Sequence, residues 1–378
     1  MKKQLIAMAV AAGMVAPMVA MAEATVYGRA HMSLDFNDDG NESAMNVSSN
    51  ASRVGFKASM DLDNGMKAGA QMEGTVGVDT GGFSMNRNTF ASLGGGFGEV
   101  RVGLHDTPLK DVRSKLDMFG DRVGDLRSLT RAGSVNLNAK SKGNAWDERF
   151  GNGILYISPK IADSWVIKAH YTTNKTTNPA QTDTNVPPDY EANDDTAYSV
   201  GANGMIGPIG LWLAYENYDY SGNRDSETAM RLGLSWKIAA FKINFMYHTQ
   251  ADNQVTDTNG VTGKYDRDVM SIGGAWKMGK NTFKLQYAMA DDLSCSGTGL
   301  QTADCDKTAA STMGLGWDYS LAKGQTFYVM YAITANDDNA FYTVTGGGGH
   351  GDNLALRSDT AGASQDNSAF SVGYIVSF

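Results

Sequence analysis

The sequence predicts an all-β protein, a sixteen-stranded antiparallel β-barrel that crosses a membrane. Three observations carry this. Apolar and polar residues alternate with a period of two through most of the chain, as in strands with one oily and one wet face. No run between strands resembles a crossover helix, so neighbouring strands pair antiparallel. Connections alternate between tight turns and long polar loops, the signature of a membrane barrel with one short rim and one long rim.

The chain has 378 residues, 41 acidic and 32 basic. Length alone would suggest about two soluble domains. An aromatic content of 10% and a hydrophobic content of 42% argue against global disorder. An acidic balance without a basic cluster argues against a nucleic-acid partner. The N-terminus reads as a secretory signal: Lys2 and Lys3, an apolar run from Leu5 to Ala16, Pro17, then Ala20-Met21-Ala22 as a small-x-small cleavage site. The whole apolar stretch, Leu5 to Ala22, barely reaches the ~18 residues a spanning helix needs. The expected division is therefore 1–22 signal peptide and 23–378 barrel. Without Lys2 and Lys3, 30 basic face 41 acidic groups, a net charge of −11. In an exported chain, Cys295 and Cys305 are expected to form a disulfide across a short polar loop. Two Cys with no His nearby do not make a zinc site.

The first strand is the model for the others. From Ala24 to Asp35 the even positions are Ala, Val, Gly, Ala, Met and Leu, and the odd ones are Thr25, Tyr27, Arg29, His31, Ser33 and Asp35. The split recurs at Arg53–Leu62, Met66–Asp79 and Glu99–His105, then through Trp165/Ile167/Ala169/Tyr171, Met230/Leu232/Leu234/Trp236, Ile243/Phe245/Tyr247 and Met270/Ile272/Trp276. Phe283/Leu285/Tyr287, Met313/Leu315/Trp317/Tyr319 and Phe327/Val329/Tyr331/Ile333 continue it, and Phe370/Val372/Tyr374/Val376/Phe378 end it. Less regular runs at Arg87–Gly94, Arg149–Ser158, Thr196–Ile206 and Ile209–Asp219 bring the total to sixteen. Tight turns include Asp63-Asn64-Gly65, Gly207-Pro208, Ala239-Ala240 and Gly279-Lys280-Asn281. Long connections are expected at Asn37–Ala51, Thr107–Glu148, Asn174–Asp194, Ala251–Arg267, Asp291–Thr308 and Asn336–Asn367.

A soluble sandwich also alternates, but it hides its apolar faces against each other and rarely needs sixteen strands. Here aromatics stand at strand ends (Tyr27, Phe36, Tyr171, Trp212, Tyr215, Trp236, Tyr247, Tyr319 and Phe341), which suits a membrane–water girdle contacting outer-membrane lipid. In hydrocarbon every backbone group must be paired, and closure alone removes the sheet's edges. The wet stripe then lines a lumen too wide for side chains to fill, so the lumen holds water and conducts solutes.

At this point the chain resembles the Gram-negative trimeric general porins along essentially its whole mature length. The resemblance rests on Ala24-Thr-Val-Tyr-Gly-Arg29, Ser52-Arg-Val-Gly-Phe-Lys57, Arg87-Asn-Thr-Phe-Ala-Ser-Leu-Gly94, Phe97-Gly-Glu-Val-Arg-Val-Gly103, Asp106-Thr-Pro108 and the terminal Phe378. It implies an outer-membrane homotrimer, a third loop folded into the barrel as a constriction, and Phe378 as a signal read by the outer-membrane assembly machinery. Two features depart from the family. Position 104 is Leu where members often carry Arg, and the Pro-Glu-Phe-Gly-Gly tract of enteric members is missing, Met118-Phe-Gly-Asp121 being the nearest remnant.

The start of that third loop reads as a short helix. Thr107 can cap it, Pro108 suits the first turn, and Leu109, Val112, Leu116 and Phe119 recur at helical spacing. From Asp106 to Glu148 the chain carries seven acidic and eight basic groups. The expected constriction sets acidic loop residues (Asp106, Asp111, Asp117 and Asp121) against a basic wall of Arg29, Arg53, Lys57, Arg87 and Arg101, giving a transverse field at the narrowest point. Asp35-x-Asn37-x-Asp39-Gly40 matches half a calcium loop but has Asn46 at position twelve, so it reads as a polar hairpin. His31, His105, His170 and His248 fall inward or near a rim, without a Gly-x-Ser-x-Gly or His-Glu-x-x-His motif. The expected function is passive diffusion of small hydrophilic solutes and ions, with no cofactor, metal or catalysis. The acidic mature charge suggests a mild cation preference. The alternatives are a substrate-selective channel for an anion or nutrient, or a barrel enzyme.

Overall fold

Period-two patterning becomes one continuous sheet in the computed structural model, which describes residues 23–40, 42–130, 146–173, 196–219, 226–256, 262–296, 305–345 and 366–378. The expected signal segment, 1–22, lies outside the described residues. Nineteen strand segments build sixteen staves. β1 is Glu23–Asp38, β2 joins Ser43–Ser49 to Arg53–Asp61, β3 is Lys67–Val76, and β4 joins Phe83–Ser84 to Thr89–Gly95. β5 is Gly98–Asp106, β6 Arg149–Ile157, β7 Val166–Thr172, β8 Thr196–Ile206, β9 Ile209–Asp219 and β10 Glu227–Ile238. β11 is Phe241–Thr256, β12 Thr262–Met278, β13 joins Asn281–Ala290 to Ser294–Ser296, β14 is Ala310–Ala322, β15 Gln325–Asn336 and β16 Asn367–Ser377.

Every neighbouring pair is antiparallel, and β1 pairs with β16 from Arg29↔Ser377 to Asp38↔Ser368, which closes the barrel. Closure leaves no edge to be satisfied by lipid. Among the described residues no helix is long and apolar enough to cross a membrane. The outer surface is apolar: Val102, Ile154, Ile272 and Leu315 are each more than 40% exposed and alternate with buried or half-buried inward neighbours. That inversion of the usual soluble rule is what a lipid-facing surface requires.

The expected aromatic girdle holds with three corrections. Tyr27 and Trp212 turn into the barrel: the Tyr27 hydroxyl donates to Glu73 at 2.9 Å, and Trp212 packs against the buried cluster around Leu109. Tyr27 shares the odd, inward parity of Arg29, so strand phase outranks residue type. Phe341 lies beyond the end of β15 and is no strand residue. Two connections expected to be long loops are mostly ladder instead. β1 and β2 pair up to Asp38↔Ser43, and β11 and β12 up to Thr256↔Thr262. Polar strands can continue past the hydrocarbon because water bathes both their faces there.

Candidate functional site

The constriction begins at the end of β5. Gly103 has φ +141, and a Cβ there would meet the Thr89 carbonyl oxygen; the ladder slips at this point, between Gly103 and His105. Two residues later the chain leaves the wall. Thr107 caps helix α1, Pro108–Leu116, its hydroxyl accepting the Lys110 N–H at 3.2 Å, with Pro108 in the first turn as expected.

The loop then lies along the inner wall. Leu109, Val112 and Leu116 are buried, and α1 packs on β8 to β11. Seats for it are cut by missing side chains: a Cβ at Gly201, Gly233, Gly273 or Gly314 would strike Pro108, Leu116, Met118 or Phe119. The wall under the loop is correspondingly apolar, with Met246, Val269, Tyr328 and Met330 pointing inward and buried.

Beyond α1, polar groups hold the loop. Asp117 accepts the backbone N–H of Phe119 at 2.8 Å and of Leu126 at 3.0 Å. Arg113 spans Asp117, Asp125 and Asp147 at 3.1–3.3 Å. Arg231 of β10 is fully buried, pairs with Asp147 and donates to the Leu109 carbonyl at 3.1 Å. Arg122 grips Asp318 of β14 through two bonds of 2.6 and 3.1 Å, and Lys284 shares that carboxylate at 2.7 Å. The second helix, α2 (Arg127–Thr130), ends the described part of the loop before Trp146.

These pairings set the loop carboxylates apart. Burial would raise Asp147, but Arg231 and Arg113 outweigh it and hold the carboxyl well below the usual range. Asp125 is likewise held low, against its own desolvation, by Arg127 and Arg113. Asp121 is held below the usual range by Arg127 and Arg29, again against desolvation. Asp117 goes the other way: burial, then the neighbouring Asp125 carboxylate, pushes it up.

Between the free edge of the loop and the wall of β1 to β6 lies a cavity of about 720 Å³. Arg29, Arg53 and Arg87 line it as expected. Arg87 sits in the break of β4 and not on a strand, and its Nε donates to Glu73 at 2.5 Å. Lys57 and Arg101 face inward but stand away from this cavity. Lys57 lines a separate recess of about 360 Å³ toward the tight-turn rim, and Arg101 pairs with Glu99 at 2.9 Å over the Phe90 ring. Parity gives a residue's face and says nothing of its height.

Of the four acidic residues, Asp121 alone meets the basic wall, through Arg29 at 3.0 Å. Asp106 pairs with Lys110 and Arg149, Asp111 with Lys168 of β7, and Asp117 turns back into its own loop. The loop is therefore no acidic strip. It presents Lys110, Arg113, Arg122 and Arg127 to the cavity, residues that patterning did not single out because their long side chains follow no strand parity. Nine basic side chains and four acidic ones line the cavity.

The other sequence candidates settle elsewhere. Asp35 and Asn37 are buried inward on β1, with Asp39 past its end, so the half calcium motif is strand ladder. Among the described residues no group of three or more His, Cys, Asp or Glu could hold a metal. His31, His105, His170 and His248 are buried on the inner wall, His31 against Tyr328 and His105 edge-on to His170. Cys295 is bonded to Cys305. Phe378 is 71% exposed, its ring over Gly28 and its backbone paired with that residue.

The chain is similar to several known proteins. Outer membrane porin protein 32 of Delftia acidovorans is 26% identical over 356 residues, spanning 89% of this chain and 91% of the relative. Major outer membrane protein P.IB of Neisseria gonorrhoeae is 35% identical over 131 residues, where the match spans 32% of this chain and 36% of the relative. Among solved structures, an anion-selective porin from Comamonas acidovorans superposes with a TM-score of 0.69 at 21% identity, covering 95% of this chain and 100% of that one. OmpT, an outer-membrane protein of Vibrio cholerae, gives 0.65 at 16% identity, covering 96% and 99%. The family model described as Gram-negative porin matches residues 7–339, which takes in β1 to β15 and the constriction loop, and the chain belongs to the Gram-negative porin family.

Proposed function

We propose that this porin is a passive diffusion channel for small hydrophilic solutes and ions that prefers anions. One observation carries the preference: nine cationic against four anionic side chains line the cavity between the constriction loop and the wall. The whole-chain charge points the other way, but a permeating ion responds to the charge within about a Debye length, roughly 8 Å at physiological ionic strength. Among the described residues Arg53 has no ion pair and stands in that lining, so it offers an uncompensated cation. The name of the Comamonas neighbour, an anion-selective porin, agrees with this reading. The reversal potential across a planar bilayer in a salt gradient tests it. An anion-directed potential is expected, and a cation-directed one would return the reading to the mild cation preference that the overall charge suggests.

The reading is non-catalytic, and turnover of lipid or peptide by the purified protein would overturn it. The working unit is a homotrimer in the outer membrane, for which a Vibrio cholerae neighbour described in trimer form is the support. An unheated sample should run as a trimer on a denaturing gel. Signal cleavage after Ala22 and a role for Phe378 in assembly belong to the same reading. The N-terminal mass of the mature protein tests the first, and the outer-membrane yield of Phe378→Ser the second.

A further inference from the structure

A second segment also folds into the barrel. Beyond β15 the chain turns inward, and Ala340, Tyr342 and Val344 are buried. The ends of β15 and β16 hold it. Asn336 accepts the Tyr342 N–H at 3.0 Å, the Asn336 and Asn367 side chains donate to the Tyr342 carbonyl at 3.0 and 2.8 Å, and Asn367 accepts the Val344 N–H at 2.8 Å.

The inner side of this segment touches the constriction loop. Gly124 donates its N–H to the Val344 carbonyl at 2.6 Å. Arg267 of β12 donates both to the Tyr342 hydroxyl and to the Leu129 carbonyl, the latter at 2.8 Å. Val344 belongs to the apolar cluster of Met118, Phe119 and Val123, and Tyr342 to that of Leu126 and Leu129. The part of the loop so contacted has a helix of only four residues, a left-handed turn at Gly124 and only short-range backbone bonds, such as Asp125 to Arg122 and Ser128 to Asp125, which shape it locally and do not by themselves fix its place on the wall.

We propose that Tyr342 and Val344 are positioning residues of the channel: with Arg267 they strap the Gly124–Thr130 part of the constriction loop to the wall and so fix the aperture and the placement of Arg122 and Arg127. Neither residue reaches the permeating ion. The strap acts through the loop, and it rests on the reading of the cavity as the conduction path.

Single-channel recording tests the idea. In Tyr342→Ala the fraction of time spent in displaced, partly closed loop states should rise by about tenfold, as expected when a local two-state equilibrium loses a buried ring and a hydrogen-bond acceptor. The reversal potential should move toward zero. Tyr342→Phe keeps the ring and loses only the hydroxyl, and should fall between that variant and the wild type. Wild-type noise, dwell times and reversal potential in folded Tyr342→Ala trimers would overturn the strap, as would lowered heat resistance with unchanged single-channel behaviour. Should Tyr342→Ala fail to fold, Val344→Ala, which leaves the backbone bond to Gly124 intact, must still show excess closures, and its silence would be equally decisive. A wild-type protein without conductance would overturn the channel reading instead.

Discussion

The two halves of the constriction loop are held by different forces. From Thr107 to Leu116 a capped helix drives an apolar stripe into seats left by wall glycines. From Asp117 to Thr130 the loop has little regular structure; Met118 and Phe119 still enter glycine seats, but Arg113, Arg122, Arg127 and their carboxylates fix the rest, with a strap above it. The first half is positioned mainly by shape, which is insensitive to pH and salt, with Asp111 on Lys168 as its ion pair to β7. The second half is positioned mainly by charge, and Arg113, Arg122 and Arg127 also line the cavity.

That contrast breaks most sharply at Asp147, where the two halves share an anchor. Arg231 and Asp147 are both fully buried, and Arg113 reaches the same carboxylate at 3.3 Å. Removing one member of such a pair strands the other, at a cost of about 3–5 kcal/mol. Asp147→Ala should therefore lower the denaturant midpoint of the folded barrel and leave the channel unable to hold one conductance level. Leu116→Ala probes the half held by shape. A cavity between Leu116 and Gly233 should cost about 2–5 kcal/mol, with a melting shift that is the same at pH 5 and pH 9 and unaffected by salt.

How much of this was legible follows from the same division. Period-two patterning gave the stave count, the closure and the face of nearly every strand residue, because burial on one side fixes strand phase. Thr107-Pro108 and the spacing of Leu109, Val112 and Leu116 gave α1. The wall seats left a fainter signal, inward glycines such as Gly314 and Gly316 in an otherwise strong strand. They announce a close approach without naming what approaches, which here is Phe119. Ion-pair partners were not legible. Asp106, Asp111, Asp117 and Asp121 look alike in sequence, yet they end on four different partner sets, because a flexible loop's path decides which cation each one meets. Lys57 and Arg101 show the complementary limit, since parity placed them inward and height put them elsewhere.

The two halves should also differ in their response to pH. Asp117 is raised by burial and by Asp125, so its contribution is fully present in acid, below the ordinary carboxylate value, and is lost as pH rises through its elevated value. The half of the loop held by charge should therefore loosen on the alkaline side. Open-channel noise recorded from pH 5 to pH 9 is expected to increase with pH in the wild type and to stay flat in Asp117→Asn. A wild-type profile that quietens toward pH 9 would mean that the loop donors around Asp117 outweigh its desolvation.

The smallest stability effect belongs to the ion pair that joins the loop to the basic wall. Arg29 and Asp121 pair at 3.0 Å, with side chains 18% and 25% exposed. Lumen water screens such a pair, so its loss should cost no more than about 1 kcal/mol. Asp121→Asn keeps the shape of the side chain and removes one of the four acidic groups in the lining. The barrel should melt within a degree or two of the wild type, while the reversal potential in a salt gradient moves further toward the anion limit as Arg29 is released into the lumen. If the potential instead stays put, Arg29 has no electrostatic hold on the ion path, and the preference must come from the cations on the loop itself.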